Sequence, residues 1–256
     1  MSNPNLHNPQ LDGAPFFWEA GPVGILLSHG YTATTVEVRP LAEALHGRGY
    51  TVAAPLLPGH GSHPAELNRV TWQDWVQAGE QLYQQLAAKC RQVFVGGESM
   101  GALVALYLAS QHAEIAGVLC YAPAIRLTLS RLDVLKLHLA APFLAQVGRT
   151  SLDRADRWQG YPGLPLKGAL QLIRFQKAVK ERLPRIHQPI VVFQGLLDTT
   201  VHPIAGDILL NGVSSTLKAQ HWMEKSTHVI TLDQEVPQVA ELTTAFIEKA
   251  LSAQTS

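Results

Sequence analysis

The sequence predicts an α/β fold in which a mostly parallel central sheet is covered by helices on both faces and carries one small, mainly helical insertion. Three observations predict it. Short continuous apolar runs recur at residues 23–27, 50–56, 92–96, 115–121 and 189–194, the pattern of strands buried on both faces. Segments of helical period separate them, long enough for crossover connections between parallel strands. Residues 125–185 break the alternation with a leucine-rich stretch that has no strand period. At 256 residues the chain is long enough for one such domain with a large core.

Along the chain, residues 15–19 predict a short edge strand, ended by Gly21 and Pro22. The strand at 23–27 runs directly into Ser28-His29-Gly30-Tyr31. Val38, Leu41, Ala42 and Leu45 share one helical face, which Gly47 and Gly49 terminate. After the strand at 50–56 comes a turn-rich stretch, Pro58 to Pro64. Trp72, Trp75, Val76, Gly79, Leu82, Tyr83 and Leu86 then recur at spacings of three and four, so this aromatic stripe reads as a helix packed on the sheet rather than a ligand box. Residues 189–194 and 215–220 resume the strand pattern after the insertion. Val236, Val239, Ala240, Thr243, Phe246, Ile247 and Ala250 mark the buried face of a last helix. The expected division is a core of residues 1–124 and 186–256, with 125–185 emerging from a strand's carboxyl end as a cap over the site.

Composition excludes several function classes. Twenty Lys plus Arg balance twenty Asp plus Glu, and no basic run or aromatic-basic interleaving suggests nucleic acid. No apolar run reaches bilayer length, and residues 1–10 lack the apolar centre of a signal peptide, so the cytoplasm is expected and integral membrane association is not. Cys90 and Cys120 fall near opposite ends of neighbouring predicted strands, too far apart to pair. His60 and His63 lack a third ligand of workable geometry, so no metal is expected. The chain contains neither a Gly-x-Gly-x-x-Gly stretch nor a phosphate-loop motif, and no nucleotide cofactor is expected.

The chemistry centres on Gly97-Glu98-Ser99-Met100-Gly101, between a predicted strand and a predicted helix. A serine on so sharp a turn needs small residues two positions either side, because the following helix must pass close to the strand. Ser99 then needs a base. His228 lies in the loop before the last helix, within reach of the sheet edge, and is preferred to His221 and His202. The base needs a carboxylate behind it. Asp198 directly follows the strand at 189–194; Asp207 and Asp233 read as caps or solvated groups, and Asp153 and Asp156 lie in the insertion. The amides of Met100 and Tyr31 are the expected donors to a tetrahedral oxyanion, with His29 and Gly30 shaping the turn that aims Tyr31.

Ser28-His29-Gly30-Tyr31, Leu57-Pro58-Gly59-His60-Gly61, the Ser99 pentad, Gly195-Leu196-Leu197-Asp198 and Ser226-Thr227-His228 together resemble the α/β-hydrolase family. Within it the sequence looks like the branch of bacterial monoacylglycerol lipases and thermophile-type carboxylesterases, and the resemblance spans about residues 23–251. It implies Ser99 as nucleophile, Asp198 as orienting acid, His228 as base and Tyr31 and Met100 as oxyanion donors, with no cofactor and a small cap that shapes an acyl pocket. Glu98 stands where the branch often carries leucine or glutamine; only the neighbouring Met100 amide bears on the anion. Leu197 stands where the branch is often more polar. The expected substrate is a neutral carboxylic ester with a short- to medium-chain acyl group, a monoacylglycerol or simple alkyl ester, with Leu129 and Phe143 in its pocket. A thioesterase, amidase or acyltransferase would use the same triad, and a non-catalytic binding protein would be expected to have lost part of it. The expected assembly is a monomer or small homo-oligomer.

Overall fold

The structure is a computed structural model and describes residues 3–148 and 156–254. Its frame is a seven-stranded sheet. The strands are β1 (Phe16–Trp18), β2 (Val23–Ser28), β3 (Thr51–Ala54), β4 (Gln92–Glu98), β5 (Gly117–Tyr121), and, beyond the insertion, the strands Ile190–Gly195 and Lys218–Met223. Across the sheet the order is β1, β3, β2, β4, β5, Ile190–Gly195, Lys218–Met223, all parallel except β1, which pairs antiparallel to β3 at the edge.

The apolar runs are continuous because alternate residues serve two different cores. Leu26, Val93, Val95, Val118, Cys120 and Val192 point to one face, whereas Ile25, Leu27, Phe94, Leu119, Tyr121, Val191 and Phe193 point to the other. The first face is covered chiefly by two helices of the first half of the chain. Here α1 is Arg39–His46, α2 is Pro64–Leu67, α3 is Trp72–Lys89 and α4 is Met100–Ala109. Thr71 and Asp74 form a capping box that starts α3, and Trp75, Leu82, Tyr83 and Leu86 bury its inner face. All ten residues of α4 are buried between the sheet and its helical neighbours, which explains why it carries no polar face. The last helix, Val236–Gln254, packs with α1 on the opposite face.

The stretch between β5 and Ile190 contains α5 (Arg131–Ala140), β6 (Gln146–Gly148), β7 (Gly163–Pro165) and α6 (Leu166–Lys180). It is mainly helical, as expected, and also includes a strand pair: β6 and β7 run antiparallel, three residues each, too short to leave a period in the sequence. The strand Ile190–Gly195 is β8, the helix Ala205–Gly212 is α7, Lys218–Met223 is β9 and Val236–Gln254 is α8. The sequence places β9 at 215–220, three residues early. Ser214 and Ser215 instead bond the carbonyl of Ile186 in the preceding connection, and pairing with β8 begins at Lys218 opposite Ile190. Cys90 and Cys120 are both free thiols. Among the described residues, no helix is long and apolar enough to cross a membrane.

Candidate active site

The site forms where β2, β4, β8 and β9 end. Ser99 follows β4 with φ 54° and ψ −108°, a strained conformation for a residue with a side chain. Its amide donates to the Tyr121 carbonyl at 2.8 Å, and its carbonyl accepts from Ala124 at 3.1 Å, so the turn is held from β5. The flanking glycines are required by contact. A Cβ at Gly101 would lie 1.9 Å from the Ser28 carbonyl oxygen, and one at Gly97 would lie 2.5 Å from both that oxygen and the Gly101 carbonyl carbon. α4 thus begins directly against the end of β2. Its first amide, that of Met100, has no intrahelical acceptor and opens at the Ser99 turn.

His228 and Asp198 come from the two adjacent strand ends. His228 Nε2 lies 3.0 Å from Ser99 Oγ, and His228 Nδ1 lies 3.0 Å from Asp198 Oδ2. The other Asp198 oxygen accepts the amides of Thr200 at 2.7 Å and Val201 at 2.9 Å, which fixes the carboxylate plane. Burial works to raise the Asp198 carboxyl, but the His228 charge, its hydrogen bond and the two amides outweigh burial and hold it below the ordinary carboxylate value. For His228 burial acts downward; the charge and hydrogen bond of Asp198, the largest of the opposing causes, with the Glu37 carboxylate, outweigh it and raise the imidazole.

The loop after β2 lies against the serine: a Cβ at Gly30 would be 3.3 Å from Ser99 Cβ. His29 shapes this loop rather than reacting. Its Nδ1 donates to the Gly30 carbonyl at 2.9 Å, its Nε2 accepts the Leu57 amide at 3.0 Å, and burial pushes it down to about 4, so it stays neutral. Gly30 donates its amide to Glu37 Oε2, and Trp158 donates its indole N–H to Glu37 Oε1 at 3.1 Å. Tyr31 follows, with its hydroxyl on the Pro165 carbonyl at 2.5 Å.

The remaining candidates lie elsewhere. His221 is inside β9 and stacks on Phe193 at 5.2 Å, and His202 accepts the amide of Ile204. Asp207 sits in the first turn of α7, Asp156 pairs with Arg157 at the surface, and Asp153 lies outside the described residues. Asp233 is neither solvated nor a simple cap. It is buried and accepts both the amide and the hydroxyl of Thr227, each at 2.9 Å, bracing the loop that carries His228. Glu235 braces the same loop through Ser226 at 2.6 Å and Lys225 at 2.9 Å. No local spacing in the sequence announces these two acids, because their partners are not helical or strand neighbours. His63 caps α2 through the Ala65 amide, and His60 donates to the carbonyls of Leu57 and Pro58. Among the described residues no group of three or more His, Cys, Asp or Glu could hold a metal ion.

A cavity of about 290 Å³ adjoins the site, with Tyr31 as the shared residue. Leu127, Leu129 and Leu137 line one side and Leu166, Ala169 and Leu172 the other, so its wall is apolar. Phe143 does not line it. α5 ends at Ala140, whose carbonyl accepts the amides of Phe143 and Leu144, and this turn directs Phe143 outward at 86% exposure.

Sheet order, strained serine turn and apolar cavity define a serine hydrolase of the α/β-hydrolase superfamily. The chain belongs to the family described as Hydrolase_4, Serine aminopeptidase, S33, whose model matches residues 23–159. It is 37% identical to a thermostable monoacylglycerol lipase of Bacillus sp. (strain H-257), over 94% of this chain and 97% of that one. It is 27% identical to a carboxylesterase of Bacillus subtilis (strain 168), over 92% of this chain and 96% of the other. A solved structure from work on LipS and LipT, two metagenome-derived lipolytic enzymes, superposes with a TM-score of 0.88 at 31% identity, covering 97% of this chain and 100% of that chain. The protein is a serine hydrolase acting on carboxylic esters.

Proposed function

We propose that the enzyme cleaves monoacylglycerols and simple alkyl esters with short- to medium-chain acyl groups, through an acyl-enzyme on Ser99. The continuous relay from Asp198 through His228 to Ser99, with both links at 3.0 Å, is the observation that carries the proposal. In acylation, neutral His228 accepts the Ser99 proton as Oγ attacks the ester carbonyl, and Asp198 fixes the tautomer that leaves Nε2 free to accept. The amides of Met100 and Tyr31 stabilise the resulting oxyanion. The imidazolium then protonates the departing glycerol or alcohol. Water deacylates Ser99 by the same steps in reverse.

We assign residues 125–185 as a cap over residues 1–124 and 186–256, and Leu129 to the acyl site. In support, the cavity lies between α5 and α6 beside Tyr31, and its volume is near the low end of the ~300–1,000 Å³ typical of small-molecule sites, which suits a single acyl chain. The named lipase and esterase relatives support the ester class, and the monoacylglycerol lipase supports the particular ester. We place the enzyme in the cytoplasm as a monomer or small homo-oligomer; the two free thiols favour a reducing compartment. The test is Ser99→Ala against a panel of monoacylglycerols and p-nitrophenyl esters, with fluorophosphonate labelling. Loss of both labelling and turnover is expected, and retained turnover would sink the assignment.

A further inference from the structure

Glu98 has no task in the steps above, yet its side chain is fully buried where three loops meet. Its Oε2 lies 3.2 Å from the Thr231 amide nitrogen and 3.0 Å from Thr231 Oγ1. Thr231 stands three residues after His228, in the short 3-10 turn Ile230–Leu232. The same Oγ1 lies 2.8 Å from the backbone carbonyl oxygen of Glu37, which ends the 3-10 turn Thr35–Glu37 beyond the Tyr31 loop.

One hydroxyl carries one proton. The Glu37 carbonyl can only accept, so the Thr231 hydroxyl donates to it, and the contact between Oγ1 and Glu98 then needs a proton from the carboxyl. The second carboxyl oxygen agrees with this count. Glu98 Oε1 is buried without a hydrogen-bond partner, which is far less costly for the carbonyl oxygen of a neutral acid than for a carboxylate. The titratable groups around it are Glu37, whose two oxygens already accept N–H groups from Gly30 and Trp158, His228, and Tyr121 of β5, whose hydroxyl is bonded to Thr243 at 3.0 Å. Burial acts first and raises Glu98; the His228 charge opposes that and Glu37 reinforces it, leaving the carboxyl well above its ordinary range.

We propose that Glu98 is a positioning residue held as a neutral carboxylic acid, whose proton ties Thr231, and with it the His228 loop, to the turn that carries Ser99. This deepens the proposed function and rests on Ser99 and His228 being the reacting pair. When alkali removes that proton to solvent, Oε2 and Oγ1 face each other with no hydrogen between them, and a second buried negative charge appears beside Glu37. The tie opens, and turnover falls on the alkaline limb of the pH profile.

The test combines infrared spectroscopy with pH profiles of p-nitrophenyl butyrate hydrolysis, on wild type, Glu98→Gln and Thr231→Val. Wild type at neutral pH should show the carbonyl band of a buried protonated carboxyl, lost as the pH rises and missing in Glu98→Gln. Glu98→Gln, neutral at every pH, should stay within about tenfold of wild-type kcat at neutral pH, the span of one misaligned neutral hydrogen bond. It should also keep the acid limb in place and lose the alkaline fall. Thr231→Val keeps the acid but removes its acceptor, so the same band should shift toward a free carboxyl and kcat should drop; this arm and the wild-type band stand even if Glu98→Gln does not fold. A missing band in wild type, an alkaline limb unchanged by Glu98→Gln, or an acid limb moved to lower pH, as removal of a charge beside His228 would produce, overturns the proposal. The band does not depend on turnover, whereas fluorophosphonate labelling of wild type tests Ser99, so the two failures are separable.

Discussion

Replacing Gly101 by alanine should damage stability and turnover together, because the contact it creates has nowhere to go. The added Cβ would sit 1.9 Å from the Ser28 carbonyl oxygen, 2.5 Å from its carbon and 2.9 Å from the His29 carbonyl oxygen, all of them backbone. Reaching an ordinary contact of 3.4 Å requires the start of α4 to retreat by about 1.5 Å from the end of β2. Overpacking against rigid neighbours costs up to about 3 kcal/mol, and the better helix propensity of alanine returns about 1, leaving a net loss near 2 kcal/mol. The retreat also carries Ser99 and the Met100 amide away from the loop that holds Tyr31, and a displacement of about 1 Å at a reacting group costs on the order of 100-fold in rate. Urea unfolding and kcat/KM for p-nitrophenyl butyrate measure the two effects. Gly148→Ala is the control, since its Cβ meets nothing within 4 Å and should change stability by less than about 0.5 kcal/mol. Gly101→Ala with wild-type midpoint and wild-type turnover would refute the close-approach account of the turn.

Asp198→Asn should leave the fold intact while lowering kcat by about 10⁴-fold, the loss known for a triad whose histidine is held in the wrong tautomer, and stopped-flow acylation should show the defect in the first turnover. His228 is raised above the ordinary imidazole value of 6.5, and its protonated form cannot accept from Ser99, so kcat/KM should fall with acidification with a midpoint above 6.5; a midpoint below it would contradict the pairing. The sign for stability is the reverse: the contribution of this raised group is complete below the unfolded value and is lost as pH rises through the folded one. Ala169→Leu fills one wall of the 290 Å³ cavity and should reduce preference for longer acyl chains by about fourfold per methylene excluded, whereas Phe143→Ala should leave the chain-length profile unchanged; p-nitrophenyl esters from acetate to laurate read both.

What the sequence makes legible follows from how local each constraint is. The Ser99 turn can be read from five residues because its glycines answer contacts made by the turn itself. The strands β2, β4, β5 and β8 are legible because burial on both faces leaves an unbroken apolar run. β9 is legible only with its bounds displaced by three residues: as an edge strand it is mostly half-exposed, so its sequence from Lys218 to Met223 has no such run to fix its ends. Helix α5 begins at a capping box of Ser130 and Asp133, but none of its residues is buried, so its leucines do not reveal which of them meets the cavity. Leu129 lines that cavity and Phe143 does not, a difference made by one turn of backbone after Ala140. Glu98 is legible only as an unusual neighbour of the serine, since its partner Thr231 lies 133 residues away.

The two halves of the 125–185 segment are held in different ways, and this bears on which of them sets acyl preference. Its second half is stitched to the loop that carries Tyr31. Tyr161 donates its amide to Thr32 at 2.9 Å, Thr34 donates to the Gln159 carbonyl at 3.1 Å, Trp158 reaches Glu37, and the Tyr31 hydroxyl holds Pro165 at the start of α6. The amino-terminal stretch adds to this seam, with Asn8 on the Trp158 carbonyl at 2.8 Å and the Gln159 amide on the carbonyls of Asn8 at 3.0 Å and Leu11 at 2.7 Å. α6 then buries Leu172, Phe175 and Val179 in the main core. α5, by contrast, buries nothing and leaves Leu132, Leu135 and Leu139 more than half exposed. A wall anchored through hydrogen bonds and core packing holds its shape when a chain enters, whereas a helix held only at one face yields. The expected outcome is that substitutions at Leu166, Ala169 and Leu172 on the anchored side shift acyl-chain preference more than substitutions on the outer face of α5, as read with p-nitrophenyl esters from acetate to laurate; equal shifts would contradict the reasoning.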